Sequence, residues 1–195
     1  NRARVVLFGS RKETVDKALS SLKNENPDWE ADGAYPDLSD AKKVEEAIDA
    51  VKKQFGKIDI LVNNAGISDS TKVDKYEPGQ FEKVISLNVN SIFYAIQPTV
   101  KIMKEQGGGC IINTSSMVSI SGQPGGVAYP TSKFAVNGMT LSLARELGPS
   151  NIRVNAVAPG ITRTDMVAAL PKEMIEPMTA AIPLRRIGEP EDVAN

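Results

Sequence analysis

The sequence predicts a single α/β domain spanning residues 1–195, in which a doubly wound parallel sheet is covered by helices on both faces. Two observations carry that expectation. Strand-like and helix-like patterns alternate from one end of the chain to the other, as they do when each strand is followed by a crossover helix. The Cys110-Ile111-Ile112-Asn113-Thr114 run is also short and apolar, the pattern of a buried parallel strand.

The elements follow in order. Arg4 to Phe8 reads as a strand, and Ser10-Arg11-Lys12-Glu13 has capping-box spacing, starting a helix through Val15, Ala18 and Leu22. Gly33 to Asp37 reads as a short strand and its exit. Val44, Ala47, Ile48, Val51 and Phe55 fall at helical spacing, and Gly56 ends that helix. Ile58 to Val62 reads as a buried strand running into Asn63-Asn64-Ala65-Gly66. A long helical stretch from about Pro78 to Lys104 follows, broken by Gly107-Gly108-Gly109. Cys110 to Thr114 reads as a buried strand ending in Ser115-Ser116, and Ile152 to Ala158 as another leading into Pro159-Gly160. Between them Phe134, Ala135, Val136, Met139, Leu143, Ala144 and Leu147 mark a buried helix that stops at Gly148. No repeat, linker or low-complexity tract interrupts the series.

Composition removes several function classes. With no histidine, a Ser-His-Asp hydrolase is impossible, and with one cysteine, Cys110, a zinc or transition-metal site is not expected. The lone cysteine makes no internal disulfide, which fits a reducing cytoplasm. A net charge of −1 gives no electrostatic reason for a nucleic-acid partner. No apolar stretch approaches the ~20 residues of a membrane span, and no signal-peptide pattern is visible.

The chemistry-bearing feature is Tyr129-Pro130-Thr131-Ser132-Lys133, with Ser116 thirteen residues upstream and Asn88 before both. A phenol titrates near ~10 in water, so it can exchange protons near neutrality only beside something that stabilises its phenolate. On a helix, Lys133 lies on the tyrosine's face and supplies that charge. The pair alone is a commonplace spacing. Its position, after a buried strand that ends in Ser116, is what gives it meaning, because ligands of open parallel sheets bind at the carboxyl ends of strands. Read singly, Ser116 is also a plausible strand terminator, Asn88 a helix-interior amide and Tyr129 an ordinary aromatic at a helix start.

Together with Asp37, Asn63-Asn64-Ala65-Gly66, Pro159-Gly160 through Thr164 and the closing Ile182-Pro183-Leu184-x-Arg186-x-Gly188-x-Pro190-Glu191-Asp192, these residues resemble the short-chain dehydrogenase/reductase family over essentially the whole chain. The resemblance implies a Rossmann-like fold and a nicotinamide-dependent interconversion of a secondary alcohol and a ketone, with a small-molecule substrate. It implies Tyr129 as acid or base, Ser116 as donor to the substrate oxygen, Lys133 on the nicotinamide ribose and Asn88 holding a water that links Lys133 to solvent. Asp37 and the Leu38 backbone would meet the adenine, Asn64 would pass beneath the adenosine ribose, and Gly160, Thr162 and Thr164 would border the nicotinamide and diphosphate. A glycine-rich turn for the pyrophosphate is missing from the sequence. The expectation is therefore that the first strand–helix unit and the last strand lie outside it.

Gly9, Ser10 and Arg11 occupy the place where an acidic residue would select NAD, and they favour NADP, with NAD possible. Ser10 is equally suited to cap a helix, and Arg11 to be a solvated charge. On substrate, Phe8-Gly9, Thr14 to Leu19 and Pro36-Asp37-Leu38 resemble bacterial bile-acid hydroxysteroid dehydrogenases. The general pattern resembles the 3-oxoacyl-carrier-protein reductases equally, although Gly107 and Ser150 stand where those carry basic docking residues; Lys101, Lys104 and Arg145 are the nearest alternative patch. Met166, Val167, Leu170, Met174, Ile175 and Met178 suit either a lid over an apolar ligand or an amphipathic helix packed on the sheet or a partner. The resemblance implies a homotetramer in which the long helices from about Pro78 to Lys104 and from Tyr129 to Leu147 pair across a two-fold axis. A non-catalytic cofactor-binding or scaffold protein is the alternative from another class.

Overall fold

The computed structural model describes residues 3–164, 167 and 172–195. Every strand pairing in it is parallel. β1 (Val5–Phe8) pairs with β2 (Ala31–Ala34), and β3 (Ile60–Asn63), β4 (Gly109–Thr114) and β5 (Ile152–Val157) form a three-stranded sheet in that order. The helices between them are α1 (Lys12–Glu25), α2 (Ala41–Phe55), α3 (Gln80–Ile85), α4 (Ser91–Glu105), α5 (Val118–Ser121) and α6 (Ala128–Leu147). α7 (Lys172–Ala181) and α8 (Pro190–Ala194) complete the chain.

The two faces of the β1–β2 pair are covered by different helices. Gly33 lies in register with Leu7, and a side chain at Gly33 would overlap Val15 of α1. Phe8, which points the other way, packs with Val44, Ile48, Ala95 and Ile102 of α2 and α4. Helices α4 and α6 then cover one face of β3–β4–β5 through Ile96, Met103, Ile111, Val136, Leu147 and Val154. At about 25 cal/mol per Å2, such fully buried side chains contribute about 2 kcal/mol each.

Several expectations shift. The capping box at Ser10 does not form: α1 begins one residue later, and its N-cap, Arg11, makes no side-chain capping bond. Instead Thr14 Oγ1 donates to the Arg11 carbonyl. The second strand is Ala31–Ala34, so Tyr35 to Asp37 belong to its exit. β3 is not buried on both faces, since Ile60 and Val62 are more than half exposed on a face that no described helix covers. The stretch from Pro78 to Lys104 is helical but not one α-helix. A π turn, Ser86–Asn90, joins α3 to α4 and carries the fully buried Asn88. Gly56 does end α2, in the left-handed region at φ 80. Among the described residues no helix is long and apolar enough to cross a membrane.

Candidate active site

Most of the predicted residues follow the carboxyl end of a parallel strand, while Asn88 lies on the π turn and Tyr129 and Lys133 on α6. Ser10 and Arg11 follow β1, Asp37 and Leu38 follow β2, Asn64 follows β3, Ser116 follows β4, and Gly160, Thr162 and Thr164 follow β5. That rim is where a parallel sheet offers ligands its loops.

Ser116 is fixed by backbone on both sides. The β4–β5 ladder runs past the strands, with Ser115 N–H donating to Val157 O at 2.7 Å and Met117 N–H to Pro159 O at 2.9 Å. The Ser116 carbonyl accepts from Ser119 Oγ at 2.6 Å, and Asn137 of α6 donates to that same hydroxyl at 2.8 Å. Among the described residues the Ser116 hydroxyl only accepts a long 3.4 Å bond from Val118 N–H, so its proton is not committed to any of them.

Tyr129 is half-buried in the first turn of α6, and Lys133, one turn on, places its Nζ 5.7 Å from the centroid of the tyrosine ring. The ammonium donates to the Thr114 carbonyl at the end of β4, at 2.7 Å. That bond ties the helix to the strand bearing Ser116. Lys133 is 5% exposed, and burial lowers its pKa to about 8, so it is cationic at neutral pH.

Asn88 joins this group from the π turn. Its Oδ1 accepts from Ile67 N–H at 2.8 Å, while Nδ2 donates to Ile67 O at 2.9 Å and to Ser132 Oγ at 3.0 Å. Ser132 in turn donates to the Tyr129 carbonyl at 2.6 Å. Both amide hydrogens of Asn88 are thus engaged with protein. The side chain fastens the Ile67 loop to α6, and the expected water has only a lone pair of Oδ1 or the backbone left to hold it. Gly66 makes this possible, because a β-carbon there would lie 3.1 Å from Asn88 Oδ1.

Sequence reasoning missed Ser132 and a second buried polar chain. Asn63 and Asn113 are in register on β3 and β4; Asn63 Nδ2 donates to Asn113 Oδ1, and Asn113 Nδ2 donates to Thr140 Oγ1, both at 2.9 Å. Two asparagines closing neighbouring apolar runs were the available signal for it.

The cofactor positions are compatible with a dinucleotide. Asn64 is exposed, anchored by Thr114 Oγ1 at 3.0 Å. Asp37 is exposed, and hydrogen bonds from Ser39, side chain first and then backbone, hold its carboxyl below the usual range. Leu38 turns its side chain into the α2–α4 core, leaving its backbone for a ligand. Thr162 Oγ1 donates to Gly160 O at 3.2 Å, and Thr162 also bridges to Gly188. Thr164 is exposed. Arg11 is exposed at the start of α1, where Lys12 takes Asp16 as its partner and leaves the guanidinium unpaired among the described residues.

A cavity of about 740 Å3 opens at Met117, the residue after Ser116, lined mainly by apolar side chains including Ile161, Met178, Ile182 and Leu184, with Arg186 and Asp192 at its wall. Of the six lid residues, Met178 lines it, and Val167 and Ile175 are half-buried elsewhere in the described chain. Met166, Leu170 and the side chain of Met174 lie outside the described residues.

The family model for short chain dehydrogenases matches residues 1–175. The chain belongs to this family. It is 63% identical over all 195 residues to a 3alpha-hydroxysteroid dehydrogenase of Mediterraneibacter gnavus, covering 78% of that protein. A 3-oxoacyl-(acyl-carrier-protein) reductase of Thermotoga maritima is 38% identical over 98% of this chain and 77% of its own. Among solved structures, an NAD+-bound xylitol dehydrogenase superposes with a TM-score of 0.89 at 31% identity, over 97% of this chain and 80% of its own. This short-chain dehydrogenase is therefore an oxidoreductase acting on CH–OH groups with a nicotinamide dinucleotide, and the scaffold alternative falls away.

Proposed function

We propose that the enzyme interconverts a secondary alcohol and a ketone on a hydroxysteroid or similarly apolar substrate, using NADP(H) by preference. The observation that carries this reading is that Lys133, 5.7 Å from the Tyr129 ring, is bonded to the end of the strand that leads into Ser116, while an apolar cavity opens at the next residue, Met117. Its volume lies within the range of pockets that enclose drug-sized ligands, and its methionines adapt to a rigid apolar body. The 63% identity to a hydroxysteroid dehydrogenase supports the same class. The acyl-carrier alternative is weakened, because Gly107 and Ser150 stand where basic docking residues would fall, and Lys101 of the nearest alternative patch faces Glu45 at 3.6 Å.

The bound nicotinamide supplies or accepts the hydride. Asp37 and the Leu38 backbone would hold the cofactor's adenine, Asn64 its adenosine ribose, and Gly160, Thr162 and Thr164 its nicotinamide and diphosphate, with Lys133 on the nicotinamide ribose. Ser116 donates to the substrate oxygen as negative charge builds there. Tyr129 gives that oxygen a proton in reduction and takes one in oxidation, with the Lys133 cation stabilising its phenolate. Asn88 fixes the helix turn from which both act. The protein works in the cytoplasm as a homo-oligomer, a tetramer by resemblance.

The test is a screen on the full-length enzyme that follows NADPH absorbance with a 3-oxosteroid, an acetoacetyl thioester and a simple ketone. The steroid is expected to turn over fastest, and Tyr129→Phe to lower kcat at least about a hundredfold while leaving NADPH affinity within about twofold. Faster turnover of the thioester overturns the substrate class, and a fully active Tyr129→Phe enzyme overturns the proton donor.

Cofactor preference rests on Arg11 meeting a 2′-phosphate. Fluorescence titration should show tighter binding of NADPH than of NADH. Arg11→Ala should erase that preference by about tenfold, the worth of one charge-assisted contact; equal losses for both cofactors would refute the role.

A further inference from the structure

The first turn of α6 carries Tyr129 as its second residue, and the backbone amides of that turn can be fully accounted for. The N-cap, Val127, has no side chain able to cap. Tyr129 N–H donates to Gly126 O at 3.2 Å, Pro130 has no N–H, and Thr131 N–H donates to Val127 O at 3.2 Å. One donor remains, the Ala128 amide, on a fully buried residue. It donates at 3.0 Å to the phenol oxygen of Tyr76, fifty-two residues earlier in the loop between β3 and α3.

Tyr76 is itself held. Its hydroxyl donates to Asp69 Oδ2, and its ring packs at 6.4 Å from that of Phe81. Asp69 Oδ1 accepts from Thr71 N–H and from Gln80 Nε2, each at 3.2 Å. Burial alone would raise the Asp69 carboxyl, but the bonds from Tyr76, Thr71 and Gln80 outweigh it and keep the group below the usual carboxylate range. Burial, and then the Asp69 bond, raises Tyr76. A carboxylate acceptor therefore faces a protonated phenol. Drawing on the phenol's proton makes its oxygen a better acceptor for the Ala128 amide, and the carboxylate's charge lies on the favourable side of a helix N-terminus.

The loop that carries Tyr76 is also clamped to the loop that enters α6. Gly126 N–H donates to Thr71 O at 2.7 Å, and Gln123 Nε2 donates to Asp69 O at 2.8 Å and to Gly126 O at 2.9 Å. Gly126 has φ 77, and a β-carbon there would overlap the Asp69 carbonyl, so the two backbones meet directly.

We propose that Tyr76, held by Asp69, is a positioning residue for Tyr129, its phenol oxygen capping the amide immediately before the catalytic tyrosine and fixing the first turn of α6 from across the fold. The inference rests on Tyr129 as the acid or base but adds a residue that touches neither substrate nor cofactor.

The test uses full-length wild type, Tyr76→Phe, Asp69→Ala and the double variant, with NADPH and a 3-oxosteroid, alongside amide hydrogen exchange of residues 127–133. Tyr76→Phe keeps the ring and removes only the hydroxyl. It should accelerate exchange at Ala128 and lower kcat, each by about tenfold, as for a lost helix cap, with the KM for NADPH within about twofold. Asp69→Ala should do the same, and the double variant should be no worse than either single, because both act through one contact. Unchanged exchange at Ala128 in Tyr76→Phe, a kcat within twofold of wild type, or additive losses would overturn the proposal. Full activity in a parallel Tyr129→Phe enzyme would overturn the acid–base reading instead, and the exchange result would still decide whether Tyr76 is the cap.

Discussion

Lys133 shows how the burial of one charged residue weighs on stability. Its ammonium is almost completely buried, with the Thr114 carbonyl as its anchor and Tyr129 as its neighbour, and burial alone lowers its pKa to about 8 from 10.5. Below pH 8 the group is charged in both the folded and the unfolded chain, and the full desolvation penalty weighs on the fold. Between about 8 and 10.5 the unfolded chain binds a proton that the folded chain has already released, so this residue's contribution becomes less unfavourable as pH rises. Lys133→Met removes that dependence. In urea denaturation, the stability of Lys133→Met relative to wild type should therefore be nearly constant around pH 7 and fall from about pH 8 to pH 10. A difference that stays constant across this range would mean that the lysine is not desolvated in the folded enzyme.

The elements were legible where a single local rule decides them, and less so where the chain makes two uses of one stretch. Gly56 after five apolar residues at helical spacing could only end a helix, and α2 ends there in the left-handed region. The continuous apolar run of β4 likewise found partners on both sides. Periodicity could not reveal the π turn at Asn88. One extra residue in a turn leaves the flanking apolar pattern nearly intact, and the reason for it is a polar residue that must reach Ile67 and Ser132. For α1, the Ser10-to-Glu13 spacing was correct for a capping box, but the helix starts one residue later, where Thr14 bonds to the Arg11 carbonyl. At the candidate site, the placement of Ser116, Tyr129 and Lys133 could be read because it depends on spacing along one helix and at one strand end. Tyr76 and Asp69 could not, because the bond to Ala128 is made by loops whose meeting depends on the tertiary fold.

At the scale of the whole molecule, α6 faces two ways. Its buried side carries Val136, Thr140 and Leu147 toward the sheet. The opposite side presents Val127, Phe134 and Leu141 at intervals of seven residues, 46%, 50% and 69% exposed, with Gly138 between the last two and open space where a side chain would stand. Apolar residues every seven positions make the seam along which helices pair, and a small residue lets a partner helix come close. This is the surface through which the proposed homo-oligomer would form. A two-fold axis across α6 would bring each residue of the stripe near its own copy, so one substitution introduces two like charges into the interface. Phe134→Glu combined with Leu141→Glu should therefore convert the oligomer to smaller species in light-scattering measurements at micromolar concentration. Far-ultraviolet circular dichroism should remain that of the wild type, because neither side chain belongs to the core. An unchanged mass would place the subunit interface on another face of the molecule.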